Sequence, residues 1–327
     1  MRAAVITEPG GPDVLKVMEI DDPAPGPEDI LIDVKATALN RADTMQRQGG
    51  YPAPPGSPDD IPGLEFAGVV IDAGDRVTGI SNGDRVFGLL GGGGYATRVI
   101  THHRMAVHMP ESWDFVQAAA TPEVFLTAYD ALFNRGNLQM GETVLVHAAG
   151  SGVGTAAVQL AHQAGAFVFG TAGTDEKLSG ATELGMDVGI NYHEQDFPAV
   201  VNEITSGTGV DVLVDFIGAP YWDQNVASMA MQGRIIEVGL MGGARVEIDI
   251  GQLLWKRLQV TGTTLRGRSI EEKLSVTAQF KHHVLPHLAS GSMKPVVDRS
   301  FPLEEVVEAH RYMETNANFG KIVLTVD

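Results

Sequence analysis

The stretch that decides the fold is Thr143-Val144-Leu145-Val146-His147-Ala148-Ala149-Gly150-Ser151-Gly152-Val153-Gly154-Thr155-Ala156-Ala157. An apolar run of strand length meets a cluster of small residues, and an amphipathic segment of helix length follows. Small side chains let the turn tighten, let backbone amides approach a pyrophosphate, and let the helix start close to the strand with its positive end facing the anion. Downstream the alternation repeats. Strands are predicted over Thr143–His147, Ala166–Thr171, Val188–Asn191, Val210–Ile217 and Gly233–Val238, with helices between them. Strands that alternate with helices read as a parallel sheet covered on both faces. Gly165 and Gly185 each follow a helical segment, where a positive φ caps the carbonyl end.

Upstream the character differs. The first third is rich in Gly and Pro, and its short runs, such as Ile30–Val34 and Ala67–Ile71, read as a mostly β region. The Gly-rich stretch 91–94 reads as a loop. Beyond about Thr261, Ser269 and Glu272 form a capping box for a helix continuing through Leu274 to Val284, and Lys321–Leu324 reads as a closing strand that returns to the first domain. At 327 residues the chain has room for two domains.

Composition narrows the chemistry. The formal charge is −18, a field that repels phosphate backbones and anionic lipid surfaces, so neither nucleic acid nor membrane is expected as a partner. The opening Met1-Arg2-Ala3-Ala4-Val5-Ile6-Thr7 reaches Glu8 and Pro9 too soon for a signal peptide, which leads us to expect a cytoplasmic protein. Without cysteine there is no disulfide, thiolate nucleophile, iron–sulfur cluster or Cys-ligated zinc. The pairs His102–His103 and His282–His283, with His287, read as surface histidines. Adjacent residues in a strand point apart, and Pro286 disturbs the helical spacing.

The glycine motif departs from G-x-G-x-x-G because Thr155 stands where the third Gly should be, and it fits A-x-x-S-x-x-G through Ala148, Ser151 and Gly154. With Ala38-Leu39-Asn40-Arg41-Ala42-Asp43-Thr44-Met45-Gln46-Arg47-Gln48-Gly49 and Tyr51, Leu240-Met241-Gly242-Gly243, and Asn318-Phe319-Gly320-Lys321-Ile322-Val323, it carries a resemblance over nearly the whole chain. The sequence resembles the zinc-free quinone oxidoreductase branch of the medium-chain dehydrogenase/reductase superfamily, and its tumour-suppressor-inducible type most of all. The resemblance implies an α/β fold with two parts. One is a GroES-like, partly open β-barrel catalytic domain (1–122 and 263–327), the other a Rossmann doubly wound parallel-sheet domain (123–262). It also implies homodimers or homotetramers, for which Arg245–Ile250 is the predicted edge strand. Where zinc enzymes of the superfamily carry Cys and Gly-His-Glu, this chain has Asp43 and Gly63-Leu64-Glu65. No metal is expected, and neither carboxylate is given a catalytic role.

For the cofactor, the second strand ends in Gly170-Thr171-Ala172-Gly173 without the acid that binds ribose hydroxyls in NAD enzymes. Asp175 and Glu176 fit the first turn of the next helix. NADPH is therefore expected, in a small hydrophobic pocket between the domains that also takes the substrate. By the resemblance, Ser151, Gly152, Val153 and Gly154 hold the pyrophosphate. Gly173, Lys177 and Tyr192 line the 2′-phosphate pocket, and Phe216, Met241 and Asn318 touch the cofactor. Asn40 and Tyr51 stand at the reacting end, Tyr51 as proton donor, with Leu265 and Arg266 nearby. A hydride needs no protein nucleophile, which suits a chain without a Ser-His-Asp arrangement. The electrophile is small and hydrophobic. A quinone is the first reading and an enoyl or enone C=C bond the second. A third reading, from another class, is a non-catalytic NADPH-binding redox sensor.

Overall fold

The computed structural model describes residues 1–327 and divides into two compact units, Met1–Glu123 with Leu265–Asp327, and Val124–Thr264. In chain order the first unit opens with β1 (Arg2–Ile6), β2 (Leu15–Glu19), β3 (Asp29–Ala38), α1 (Arg41–Arg47), β4 (Glu65–Ala73), β5 (Arg85–Leu89), β6 (Arg98–His102), β7 (Ala106–His108) and α2 (Phe115–Ala119). Next come α3 (Pro122–Tyr129), a π-helical turn over Asp130–Arg135, and the elements β8 (Thr143–Val146), α4 (Gly152–Gln163), β9 (Phe167–Ala172), α5 (Asp175–Glu183), β10 (Val188–Asn191), α6 (Phe197–Ile204), β11 (Val210–Asp215), α7 (Trp222–Ser228), β12 (Met229–Glu237), α8 (Ile250–Lys256) and β13 (Gln259–Gly262). The chain then returns to the first unit through α9 (Ile270–His283), α10 (Leu285–Ser290), β14 (Val297–Pro302), α11 (Val306–Glu314) and β15 (Lys321–Thr325).

The first unit is a mostly antiparallel sheet of order β14-β15-β3-β4-β5-β7, with β6 also pairing β3, and its end strands do not meet. Period-two patterning makes it. Along β3, Ile30, Ile32 and Val34 are buried at alternate positions and pack with Phe66, Val70, Val86 and Ile322. The C-terminal β15 pairs antiparallel to β3. Ser269 and Glu272 form the capping box that starts α9, and the helix breaks at Val284 because Pro286 cannot continue its hydrogen bonds.

The second unit is a six-stranded, wholly parallel sheet of order β10-β9-β8-β11-β12-β13, the doubly wound order that reverses between β8 and β11. Leu145, Phe169, Ile190, Leu213 and Ile235 from successive strands form one core layer with Val201 of α6 and Val226 of α7. Gly165 and Gly185 take φ of 75° and 106° at the ends of α4 and α5. No helix is long and apolar enough to cross a membrane.

Two expectations require correction. The segment Arg245–Ile250 is not a strand; residues 245–249 pair with nothing, Asp249 caps α8, and Ile250 begins that helix. On that side of the sheet the edge strand is β13, too short and polar for its pattern to announce it. The pair His102–His103 does not point apart, because β6 ends at His102 and a 3-10 turn begins at His103. Their rings stack at 4.9 Å, and His103 is buried with Nδ1 3.0 Å from the Thr78 carbonyl.

Candidate active site

In the second unit, the turn after β8 is built by its small residues. Ala148 adopts φ of 47°, and a Cβ on Gly154 would run into the Ala148 carbonyl oxygen, so only Gly allows α4 to start this close to the strand. Ser151 is the N-cap of α4. Its Oγ accepts from the Gly154 amide at 3.0 Å, and its own amide donates to the Ala148 carbonyl at 2.8 Å. The Ser151 side chain is thus spent on the turn. Gly152 and Val153, in the first turn of a twelve-residue helix, have no intrahelical acceptor for their amides and carry the positive end of its dipole.

Around this turn the structure gathers Lys177, Gly173 and Tyr192. The Lys177 stem lies over Gly150, where an added Cβ would stand 3.1 Å from the Lys177 Cβ. A Cβ on Gly173 would stand 2.6 Å from the Tyr192 hydroxyl and 3.2 Å from His193 Nε2. His193 is a neighbour the sequence reading missed; its ring packs on Tyr192 at 4.5 Å. Asp175 accepts from Asn191 Nδ2 at 3.1 Å and, with Glu176, forms the first turn of α5. Just after β11, Phe216 is buried, while Met241, in the loop after β12, is half exposed, and the Met241 amide donates to the Phe216 carbonyl at 3.1 Å.

Beneath the turn runs a fully buried chain of polar groups. Thr171 Oγ1 lies 2.9 Å from His147 Nδ1, His147 Nε2 lies 2.8 Å from Asn225 Oδ1, and Asn225 Nδ2 donates to Asp215 at 2.8 Å. Since the Asn225 amide faces Asp215, its carbonyl accepts from His147 Nε2–H, and Nδ1 accepts the Thr171 hydroxyl proton. Burial pushes the His147 pKa down, in keeping with a neutral ring.

In the first unit, Asn40, Tyr51 and Asn318 fall on separate supports. Asn40 precedes α1. Its Nδ2 donates to Glu65 Oε1 at 2.9 Å, and its Oδ1 accepts from Lys321 Nζ at 2.6 Å. Lys321 also donates to the Leu39 carbonyl at 2.6 Å and to Glu65 Oε1 at 2.7 Å, which uses all three of its protons with the side chain 4% exposed. Glu65 Oε2 accepts from the Glu123 amide at 2.8 Å. Asn318 Nδ2 is tied to the Gly320 carbonyl at 2.8 Å. Tyr51 lies under the Arg266 guanidinium, 5.0 Å from ring centroid to Cζ. Arg266, itself buried, also holds the Tyr51 carbonyl at 3.1 Å, the Gly91 carbonyl at 2.8 Å and Gln46 Oε1 at 2.6 Å. Burial and the Glu123 charge push the Tyr51 phenol up, with Arg266 opposing, so the hydroxyl keeps its proton at neutral pH.

Asp43 accepts from the Asn40 amide at 2.7 Å, the Gly63 amide at 3.1 Å and the Tyr95 hydroxyl at 2.9 Å. Behind Tyr95 stands His310, whose Nδ1 accepts from Arg47 at 3.0 Å; burial, then the Arg47 and Arg41 charges, hold its pKa at about 3. Asp43 and Glu65 are thus consumed in holding α1 and Asn40 in place. No group of three or more His, Cys, Asp or Glu stands together in a way that could hold a metal ion.

Comparison with known proteins agrees with this architecture. Residues 26–111 match the alcohol dehydrogenase GroES-like domain, and residues 152–279 match the model described as zinc-binding dehydrogenase. The chain is 33% identical to the quinone oxidoreductase of Homo sapiens over 99% of its length and 97% of that protein. It is also similar to the crystal structure of Escherichia coli quinone oxidoreductase complexed with NADPH. There the TM-score is 0.89 and the identity 32%, over 99% of this chain and 100% of that one. A CurK enoyl reductase structure matches with TM-score 0.88 and 29% identity, over 100% of this chain and 99% of that one.

Proposed function

Since the chain belongs to the medium-chain dehydrogenase/reductase superfamily, we propose that it is an NADPH-dependent oxidoreductase that reduces a quinone-type electrophile without a metal, as in the zinc-free, tumour-suppressor-inducible type. The observation that carries this reading is the turn at 148–154 together with the Gly173, Lys177, Tyr192 and His193 group beside it. Bound there, NADPH supplies the hydride. The chain's own work is to bind and to orient. The amides of Gly152 and Val153 face an anion, and the tip of β9 offers a 2′-phosphate no acid while the Lys177 stem lies alongside. Phe216 and Met241 offer apolar contact to the ring half, and Asn318 a carbonyl oxygen. Tyr51 holds a proton for the reduced oxygen, and Asn40, clamped between Lys321 and Glu65, keeps one orientation at the substrate end.

A zinc does not fit this donor set. The chain has no thiolate, Asp43 is saturated by three donors, and Glu65 is paired to an ammonium. The reading includes assembly into a homodimer or homotetramer, supported by exposed Ile250, Leu254 and Trp255 on α8. The likeness to an enoyl reductase keeps an enone C=C bond as the second reading. Oxidation of NADPH, with NADH alongside, against a panel of quinones and enones tests all three readings. Turnover with quinones is expected. Turnover with enones alone would move the assignment to the second reading, and binding without turnover would leave a sensor.

A further inference from the structure

At the carboxyl ends of the parallel strands, one acid is left out of the polar chain. Glu237, the last residue of β12, stands in register beside Asp215, the last residue of β11. Asp215 is fully buried and satisfied by the amides of Ile217 at 2.6 Å and Gly218 at 3.1 Å and by Asn225. Glu237 has no such set. Its Oε2 is buried without a hydrogen-bond partner, and it is the only buried side-chain nitrogen or oxygen in the chain of which that is true. An orphaned buried acceptor is costly, so a fold tolerates one where something else completes it.

The place of Glu237 in the sheet says what would complete it. A doubly wound sheet binds a dinucleotide across its reversal point, one mononucleotide over each half. The first half here is β8-β9-β10, with the glycine turn; the second is β11-β12-β13. Glu237 closes the middle strand of that second half, two residues before the loop whose Gly239 packs on Phe216 and whose Met241 amide is held by the Phe216 carbonyl. We infer that the Glu237 carboxyl is a contact for the nicotinamide-bearing half of the dinucleotide, completed by a hydrogen bond from that half. This rests on the dinucleotide reading above.

The surroundings fix the carboxyl's charge. From β11 it faces Asp215, and β13 brings no ionisable side chain. On α8, Lys256 is spent on the carbonyls of Val226, Ala227 and Met229. Arg135, from the π-helical turn, pairs with Asp130, and Arg234 of β12 pairs with Glu142. Burial holds the His147 pKa down, so no cation stands there either. Burial and then the Asp215 charge raise Glu237 to about 7. Below that pH the group is neutral and binds; above it, a second carboxylate would sit beside Asp215 under a ligand that already carries phosphates.

Titration of the full-length protein with NADPH and, separately, with 2′,5′-ADP from pH 6 to 8.5, by fluorescence and calorimetry, tests this. The second ligand has the 2′-phosphate but no nicotinamide half, so the ratio of the two dissociation constants cancels titration of the phosphate. For wild type the NADPH constant should weaken relative to 2′,5′-ADP by about fivefold from pH 7 to pH 8, the expectation for one group titrating near 7. Glu237→Gln should hold that ratio flat and leave 2′,5′-ADP affinity unmoved. A flat wild-type ratio overturns the inference without any variant, as does an unchanged slope in Glu237→Gln. If neither ligand binds the wild type, it is the dinucleotide reading that falls.

Discussion

Replacing Lys321 with Met removes an ammonium whose three protons are all used inside the first unit, on the Leu39 carbonyl, Asn40 Oδ1 and Glu65 Oε1. Glu65 keeps two donors, Asn40 Nδ2 and the Glu123 amide, but its charge loses its counterion at full burial. Breaking a buried ion pair from one side costs about 3–5 kcal/mol, and the two remaining donors place this case near 3. For a unit of this size that is a fall in Tm of roughly 6–12 °C. Glu65→Gln should cost a similar amount, since it strands the ammonium. The double variant removes both charges and should cost at least about 1.5 kcal/mol less than the two single costs added together. Urea unfolding followed by Trp113 fluorescence, in a background of Trp222→Phe and Trp255→Phe, reports on the first unit alone. A Lys321→Met cost below about 1 kcal/mol, or strict additivity in the cycle, would refute the claim that Asn40 is oriented by a desolvated ion pair.

Four further outcomes are expected. Lys177→Ala should weaken NADPH binding by about tenfold or more while leaving NADH unchanged, since a hydrogen bond to a charged group contributes roughly 1.5–3 kcal/mol; equilibrium titration of both cofactors decides it. Tyr51→Phe should lower kcat by at least about tenfold with NADPH affinity intact, and full steady-state activity would remove Tyr51 as proton donor. Glu237 is raised from 4.5 to about 7 in the fold. The native state therefore holds the extra proton in that window, and stability falls as pH rises through it. The Tm advantage of Glu237→Gln over wild type should accordingly grow from pH 5 to pH 8 in scanning calorimetry, and an advantage independent of pH would contradict the assignment. Finally, Trp255→Asp should reduce the mass seen by light scattering to that of a single chain, and an unaltered mass would show that α8 lies outside the interface.

The parallel sheet was legible because its strands are buried on both faces and read as short apolar runs between helices, Val144–Val146 and Val212–Val214 most plainly. The turn after β8 was equally plain, since only small residues permit the close approach at Gly154. Where several local signals competed, the sequence misled. Val246, Ile248 and Ile250 alternate like a strand, yet within the chain residues 245–249 join no ladder, and Asp249 starts a helix instead. Strand β13 carries little apolar signal because its side chains stay largely exposed, and it is defined by its ladder to β12. The polar interior was the least legible. Glu65 meets Lys321 from 256 residues away, and Asp43 meets Tyr95 and, behind it, His310. No spacing rule links such residues: Lys321 reaches Glu65 only because β15 pairs with β3 and β3 with β4, and Asp43, Tyr95 and His310 come from α1, a loop and α11. His193 and Glu237 escaped for the same reason: their meaning depends on Gly173 and Asp215, their neighbours across the ends of the sheet.

A crystal of the protein soaked with NADPH puts the whole reading at stake. Density for the pyrophosphate is expected against the amides of Gly152 and Val153, with the 2′-phosphate among Gly173, Lys177 and Tyr192. Density for the dinucleotide elsewhere, or none at saturating NADPH, would contradict it.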